Sequence, residues 1–249
     1  VLMKDLPLII GHRGYRARFP ENTLLAFSEG FKHGADGLEC DVQKTKDGVY
    51  IIYHDEELLP LTGKKGTIGQ TSYKELKKIK IKGQSIPSLK ELLDFIPEDK
   101  FINIELKEET LSLDDAEKIA HILKNHKAFN NILISSFKHE LLVSFKKNGF
   151  KIGLLFEDFN FDNRIFPPLL RVIKYRPWSV NLPIKEFTKN TGITQKLFIL
   201  LMRLLAIKII FWTVNTTEDF DAVYNYSYGI ITDHVELLLN HKKTRNHNG

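Results

Sequence analysis

Between stretches of helical spacing, the chain returns to short runs of consecutive apolar residues, each too brief for a helix and bounded by turn-forming residues. Nine such runs are visible: Pro7–His12, Gly37–Val42, Val49–His54, Phe101–Lys107, Asn131–Phe137, Lys151–Phe156, Trp178–Leu182, Lys208–Asn215 and Gly229–Asp233. Buried strands alternating with helical patterns predict βα units and a parallel sheet. One run is an exception. Gly37–Val42 and Val49–His54 are joined by a short link ending in Lys46-Asp47-Gly48. Asp-Gly is turn chemistry, and a parallel crossover needs about a dozen residues or more, so these two runs predict a hairpin. Eight strands remain, nearly all followed by helix-sized segments. In 249 residues that pattern predicts an α/β fold, a closed TIM (β/α)8 barrel, with a doubly wound open sheet as the runner-up.

Asn22 is positioned to cap a helix running to about His33, with Gly34 as its stop. Further helices are expected over Leu111–Asn125, His139–Asn148, Thr194–Leu205 and Thr217–Asn225. Residues 55–96 read as an irregular insertion on one barrel domain spanning 1–249. They are too poor in apolar residues to build a core of their own. The segment Leu197–Trp212 is strongly apolar but carries Arg203 and Lys208. It is shorter than the ~20 residues of a membrane span, and reads as a helix ending near Leu205 followed by a buried strand.

Composition changes this picture little. Apolar residues make up 43% and charged residues 27% of the chain, ordinary for a globular protein. Cys40 is the single cysteine, which excludes a disulfide framework and fits a reducing compartment. The N-terminal residues show no signal-peptide pattern, and the expected location is cytoplasmic. The net charge is +5. A moderate positive field attracts anionic substrates or acidic membrane surfaces, so peripheral membrane contact is permitted without being indicated. Nucleic acid would need a concentrated basic patch with interleaved aromatics, which is not seen.

Chemistry-bearing residues collect at the C-terminal ends of the expected strands, where a barrel builds its site. His12-Arg13-Gly14 ends the first. Glu39 and Asp41 lie two apart on the second and so share a face. His54-Asp55 ends the hairpin arm, and Glu105 and Lys107 share a face on the next strand. Glu39, Asp41 and Glu105 form an all-oxygen set suited to a hard divalent cation, Ca²⁺ or Mg²⁺. The two histidines are suited to proton transfer near neutrality, and Arg13 and Lys107 to holding an anion. Together they describe a site for a phosphate diester. Arg13 is out of phase with His12 and reaches the pocket only if the chain turns at Gly14. The Glu21-Asn22 pair reads as a helix start, Asn181 and Asn215 as turn or cap residues, and GKKGTIG (63–69) as a turn.

The segments GHRG, PENTLLAF, GADGLECDVQKTKDG, YIIYHD, INIELK, ISSF, FWTVN and GIITD occur in the order seen in the glycerophosphodiester phosphodiesterase family, which this chain resembles over nearly its whole length. The resemblance implies a TIM barrel. It implies His12 and His54 as the acid–base pair, Glu39, Asp41 and Glu105 as cation ligands, Arg13 and Lys107 on the phosphate, and Trp212 lining the pocket. The substrate implied is a small glycerophosphodiester, cleaved to glycerol 3-phosphate and an alcohol through attack by the neighbouring glycerol hydroxyl. Two departures bear on substrate choice: Leu59-Pro60-Leu61-Thr62 lacks the family's arginine, and Asp233 is followed by His234 and Val235 rather than by a nearby proline. A lysophospholipase D or sphingomyelinase D-like enzyme would keep the same site, and apolar residues within Phe156–Phe166 leave that reading open. A non-catalytic phosphodiester-binding barrel would not need both histidines and all three acids.

Overall fold

The structure, a computed structural model of the chain, describes residues 7–158, 165–189 and 192–247. Its strands are β1 (Leu8–Gly11), β2 (Gly37–Lys44), β3 (Tyr50–Ile52), β4 (Lys80–Ile81), β5 (Gln84–Ser85), β6 (Phe101–Leu106), β7 (Ile132–Ser136), β8 (Lys151–Leu155), β9 (Ser179–Pro183), β10 (Lys208–Trp212) and β11 (Gly229–Thr232). The helices are α1 (Leu24–Lys32), α2 (Leu59–Thr62), α3 (Tyr73–Leu76), α4 (Leu89–Phe95), α5 (Leu113–Lys124), α6 (Leu142–Lys147), α7 (Phe166–Tyr175), α8 (Ile184–Lys189), α9 (Ile193–Leu204), α10 (Thr217–Val223) and α11 (Val235–His247).

Eight strands run parallel in the order β1-β11-β10-β9-β8-β7-β6-β2, and the β1–β2 pairing closes the ring. This is the TIM barrel. The hairpin arm β3 lies antiparallel on β2, with Val42 opposite Ile52. Each strand alternates between two environments, as its period of two requires. On β2, Leu38, Cys40 and Val42 point out into the helix layer and join the main core, while Glu39, Asp41 and Gln43 point inward. The floor of the barrel is apolar, formed by Leu8, Ile10, Phe101, Leu133, Ile210 and Ile231. One end of the interior is thus sealed with side chains that each gain about 1.5–3 kcal/mol from burial. The polar inward positions gather at the other end.

Local chemistry places the helices. Thr23, not Asn22, caps α1, its hydroxyl accepting from the Ala26 amide, and Gly34 ends the turn at φ +92°. Both residues are good caps, and Asn22 is drawn elsewhere. A capping box of Ser112 and Asp115 starts α5.

The stretch from 55 to 96 divides. Leu58, Ile68, Leu76, Ile81 and Ile86 form a small cluster of their own against Ile51 and Tyr53 of the hairpin arm, more core than its composition suggested. Its last part, α4, packs Leu89, Leu92 and Leu93 into the main core and serves as the barrel helix before β6. The residues after Asp233 form α11, with Val235 and Leu238 buried and Lys242 Nζ donating to the Pro7 carbonyl at 2.9 Å. Among the described residues no helix is long and apolar enough to cross a membrane. The Leu197–Trp212 segment is the expected helix followed by strand.

Candidate active site

The mouth of the barrel holds a cavity of about 380 Å³ lined by His12, Arg13, Arg16, Glu39, Asp41, His54, Asn103, Glu105, Phe137 and Trp212 among others. That is the size and mixed character of a small-ligand site. All eight residues expected at the site converge there. Lys107 reaches it from the end of β6, with its Nζ 3.5 Å from His54 Nε2 and donating to Glu105 Oε1 at 3.0 Å.

His12 follows β1 directly and continues its inward phase. Its Nδ1 lies 2.7 Å from Asp233 Oδ1. A carboxylate only accepts, so Nδ1 carries the proton and Nε2 presents a lone pair toward the cavity, 4.0 Å from Glu39 Oε2. Asp233 is itself fixed, accepting from Asn215 Nδ2 at 2.8 Å while its backbone N–H donates to Asn215 Oδ1 at 2.9 Å. Burial opposes its ionisation, but the His12 contact and the nearby Arg16 hold the Asp233 carboxyl at about 2. Burial lowers the His12 pKa below the usual 6.5 despite that carboxylate, so near neutrality the imidazole is uncharged.

His54 is built the same way. Its Nδ1 donates to Asp55 Oδ1 at 2.6 Å, leaving Nε2 toward Lys107. The turn that carries it is pinned by the buried Gln43, whose amide nitrogen lies 3.0, 2.9 and 2.8 Å from the carbonyls of Tyr53, His54 and Asp55.

The turn after β1 is what brings Arg13 in. Arg13 has φ +51° and Gly14 φ +86°, two successive left-handed residues. At Gly14 an added Cβ would lie 2.7 Å from the Ala26 carbonyl carbon, so only glycine fits. The Arg13 guanidinium then pairs with Glu21 Oε1 at 2.7 Å and approaches Asp41 Oδ2 at 3.5 Å. Burial disfavours its charge, yet Asp41, Glu21 and Glu39 together hold the guanidinium firmly protonated. Asn22, also left-handed at φ +55°, donates to Asp41 Oδ2 at 2.8 Å. Glu21 and Asn22 therefore belong to the site and are not the helix start that the sequence suggested.

One oxygen each from Glu39, Asp41 and Glu105 lies within 4.8 Å of the others. Burial, and then the neighbouring carboxylates, raise Glu39 well above the usual range. Burial and Asp41 push Glu105 up to about 7. Asp41 is held low instead, because Arg13, His54 and Lys107 outweigh its burial. Crowded carboxylates whose ionisation is this unfavourable fit a divalent cation, which supplies the missing positive charge. Around the cavity six carboxylates (Glu21, Glu39, Asp41, Asp55, Glu105 and Asp233) face three permanent cations, Arg13, Arg16 and Lys107.

Trp212 lines the cavity, half-buried, edge-on to Phe137 with ring centroids 5.8 Å apart. Asn181 points into the barrel, where its Oδ1 accepts from Ser179 at 2.9 Å. Of the other histidines, His139 is buried with Nε2 at the Leu155 carbonyl, and His33 follows α1 with Nδ1 at the Glu29 carbonyl. Cys40 is buried on the outer face.

The glycerophosphoryl diester phosphodiesterase family model matches residues 12–237. The chain belongs to this family. A glycerophosphodiester phosphodiesterase of Caldanaerobacter subterraneus subsp. tengcongensis is 32% identical over 94% of this chain and 96% of its own. The crystal structure of the glycerophosphodiester phosphodiesterase from Thermotoga maritima superposes with a TM-score of 0.83 at 34% identity, covering 95% of this chain and 99% of that one. An Oleispira antarctica phosphodiesterase, solved with its product sn-glycerol-3-phosphate, shares the fold at a TM-score of 0.84 and 24% identity, over 96% and 97% of the two chains. Like its family, the chain is a phosphodiester hydrolase of glycerophosphodiesters.

Asp233 and Gln43 escaped the sequence reading, and Asn215, read as a turn or cap residue, pairs with Asp233 instead. For Asp233 a signal was present. Gly229, Ile231 and Asp233 alternate in one phase along β11, so an acid at the end of that run points into the mouth.

Proposed function

We propose that the chain cleaves glycerophosphodiesters to glycerol 3-phosphate and an alcohol by histidine acid–base catalysis, with a divalent cation held by Glu39, Asp41 and Glu105. When bound, the cation, Ca²⁺ or Mg²⁺, supplies positive charge against the phosphoryl oxygens. The chain's own residues do the rest. Arg13 and Lys107 bind the phosphate, and Trp212 with Phe137 forms an apolar wall for the glycerol or head group. His12 Nε2 takes the proton from the glycerol hydroxyl next to the phosphate as its oxygen bonds to phosphorus. The bond to the alcohol breaks, and His54 in its protonated form returns a proton to the departing oxygen. Water then opens the cyclic glycerophosphate with the two histidines in exchanged roles.

The observation carrying this reading is the pair of imidazoles, each locked through Nδ1 by an aspartate and presenting Nε2 to one cavity that also holds the three crowded carboxylates. The test is a panel of glycerophosphodiesters and lysolipids, assayed with and without EDTA, for wild type, His12→Ala and Glu39→Ala. His12→Ala should lower kcat by at least about 10²-fold with the circular dichroism spectrum unchanged, and EDTA should inactivate reversibly. Turnover by His12→Ala at the wild-type rate, or full activity in EDTA, would contradict the mechanism.

A further inference from the structure

Positive charge is not spread evenly along the chain. Residues 165–208 contain eight Lys and Arg against one Glu, a larger excess than the +5 of the whole chain. That segment forms α7, α8 and α9, consecutive around the barrel beside β8, β9 and β10. Arg171, Lys174, Arg176, Lys185, Lys196 and Arg203 are all exposed, and none forms an ion pair among the described residues.

The same helices expose apolar stripes at helical spacing. Phe166, Leu170 and Ile173 lie along the outer face of α7, and Ile193, Leu197, Leu200 and Leu204 along that of α9, each between 43% and 86% exposed. Spacings of four, three and four residues put these side chains on one face. Both helices also bury an apolar inner face, Val172 and Tyr175 on α7 and Phe198, Ile199 and Met202 on α9. An ordinary barrel helix turns charge outward, as α5 does with Asp114, Glu117 and Lys118. α7 follows β8, which ends at the mouth, and α9 follows α8 and runs on toward the start of β10 at the opposite end of the barrel. Phe137 joins this flank to the active cavity, lining both that cavity and a cleft of about 280 Å³ bounded by Leu170, Arg171 and Lys174.

We propose that the outer face of α7 and α9 docks on an anionic lipid bilayer, setting the rim of the barrel mouth at the membrane interface. Apolar side chains interleaved with unpaired Lys and Arg are what the boundary between acyl chains and acidic headgroups takes up. Charge complementarity selects this occupant over a second copy of the chain, since a two-fold contact would set the same uncompensated cations against each other.

Co-sedimentation tests it with vesicles of phosphatidylglycerol and phosphatidylcholine in equal parts, against phosphatidylcholine alone. The wild type should partition onto the anionic vesicles at least about tenfold better, and less at high salt. Leu197→Ser with Leu200→Ser, and separately Lys196→Glu with Arg203→Glu, should each cut that partitioning by about tenfold. Both variants should keep the wild-type circular dichroism spectrum and rate on a water-soluble glycerophosphodiester. The more exposed pair Ile193→Ser with Leu204→Ser repeats the test without touching the middle of α9. Absence of wild-type binding to anionic vesicles, or unchanged binding by all three variants, overturns the proposal. So does a concentration-dependent dimer, abolished by the apolar variants, in a protein that ignores lipid.

Discussion

A neutral imidazole acts as a base through Nε2 only while Nδ1 keeps its proton, and at His12 that proton is held by a carboxylate 221 residues away in the chain. Asp233→Asn tests this positioning role. An asparagine that kept its carbonyl toward His12 would turn its NH₂ against the Asn215 NH₂ that now donates to Asp233. It would flip, and His12 would lose its acceptor. We expect kcat to fall by about 10²-fold with KM little changed, measured by steady-state kinetics on one soluble diester. A merely structural role would lower the melting temperature and leave kcat of the folded fraction intact. The residues with chemistry of their own (His12, His54, Glu39, Asp41 and Glu105) were legible in the sequence from type and strand phase. Glu21, Asn22 and Asn215 were not, because each has a plausible local role as a cap or turn and acts through a partner that only folding supplies.

At the scale of elements, the hairpin arm β3 leads to His54 at the barrel mouth without belonging to the ring of eight. Its end is tied to β2 by Gln43 alone among side chains of that strand, through three carbonyls. Gln43→Leu keeps the size of the side chain and leaves those acceptors unpaired. It should cost about 1–3 kcal/mol, seen as a lower denaturation midpoint, and lower kcat by freeing His54. A variant equal to wild type in both would show that the turn holds itself. Strand existence and phase were readable here because buried parallel strands are continuous apolar runs. The helices were less so. α7 opens on Phe166-Pro167-Pro168, which resembles a loop, and α11 has a nearly uniform mixture of apolar and charged residues around its circumference. Tertiary contacts, such as that of Lys242 with Pro7, decide such segments.

For the molecule as a whole, the barrel forces three acids into one volume, and the consequence is a linkage between protons and cation. Burial and Asp41 push Glu105 from 4.5 to about 7, and Glu39 is raised as well. The folded, cation-free protein therefore binds these protons more tightly than the unfolded chain does. The contribution of these two acids to stability should fall as pH rises from about 4.5 through about 7, a loss that the cation reverses. A cation competes for the same oxygens, so its affinity should climb over the upper part of that range. Calorimetric titration of Ca²⁺ or Mg²⁺ should give binding about tenfold tighter at about pH 8 than at about pH 6. Equal affinities would mean that the acids are already ionised at the lower pH.

By itself the sequence determined the strand alternation, the hairpin, the count of eight parallel strands and the set of candidate side chains at their ends. These follow from local patterns, since side-chain period and turn chemistry act within a few residues. Tertiary structure alone decided how those side chains are protonated and aimed. It set Asp233 behind His12, Gln43 behind His54 and Glu21 against Arg13, and it left the stripes of α7 and α9 facing outward. Hydrogen bonds, burial and crowding of charge depend on distances in space, and distances across a closed barrel are not written in spacing along the chain.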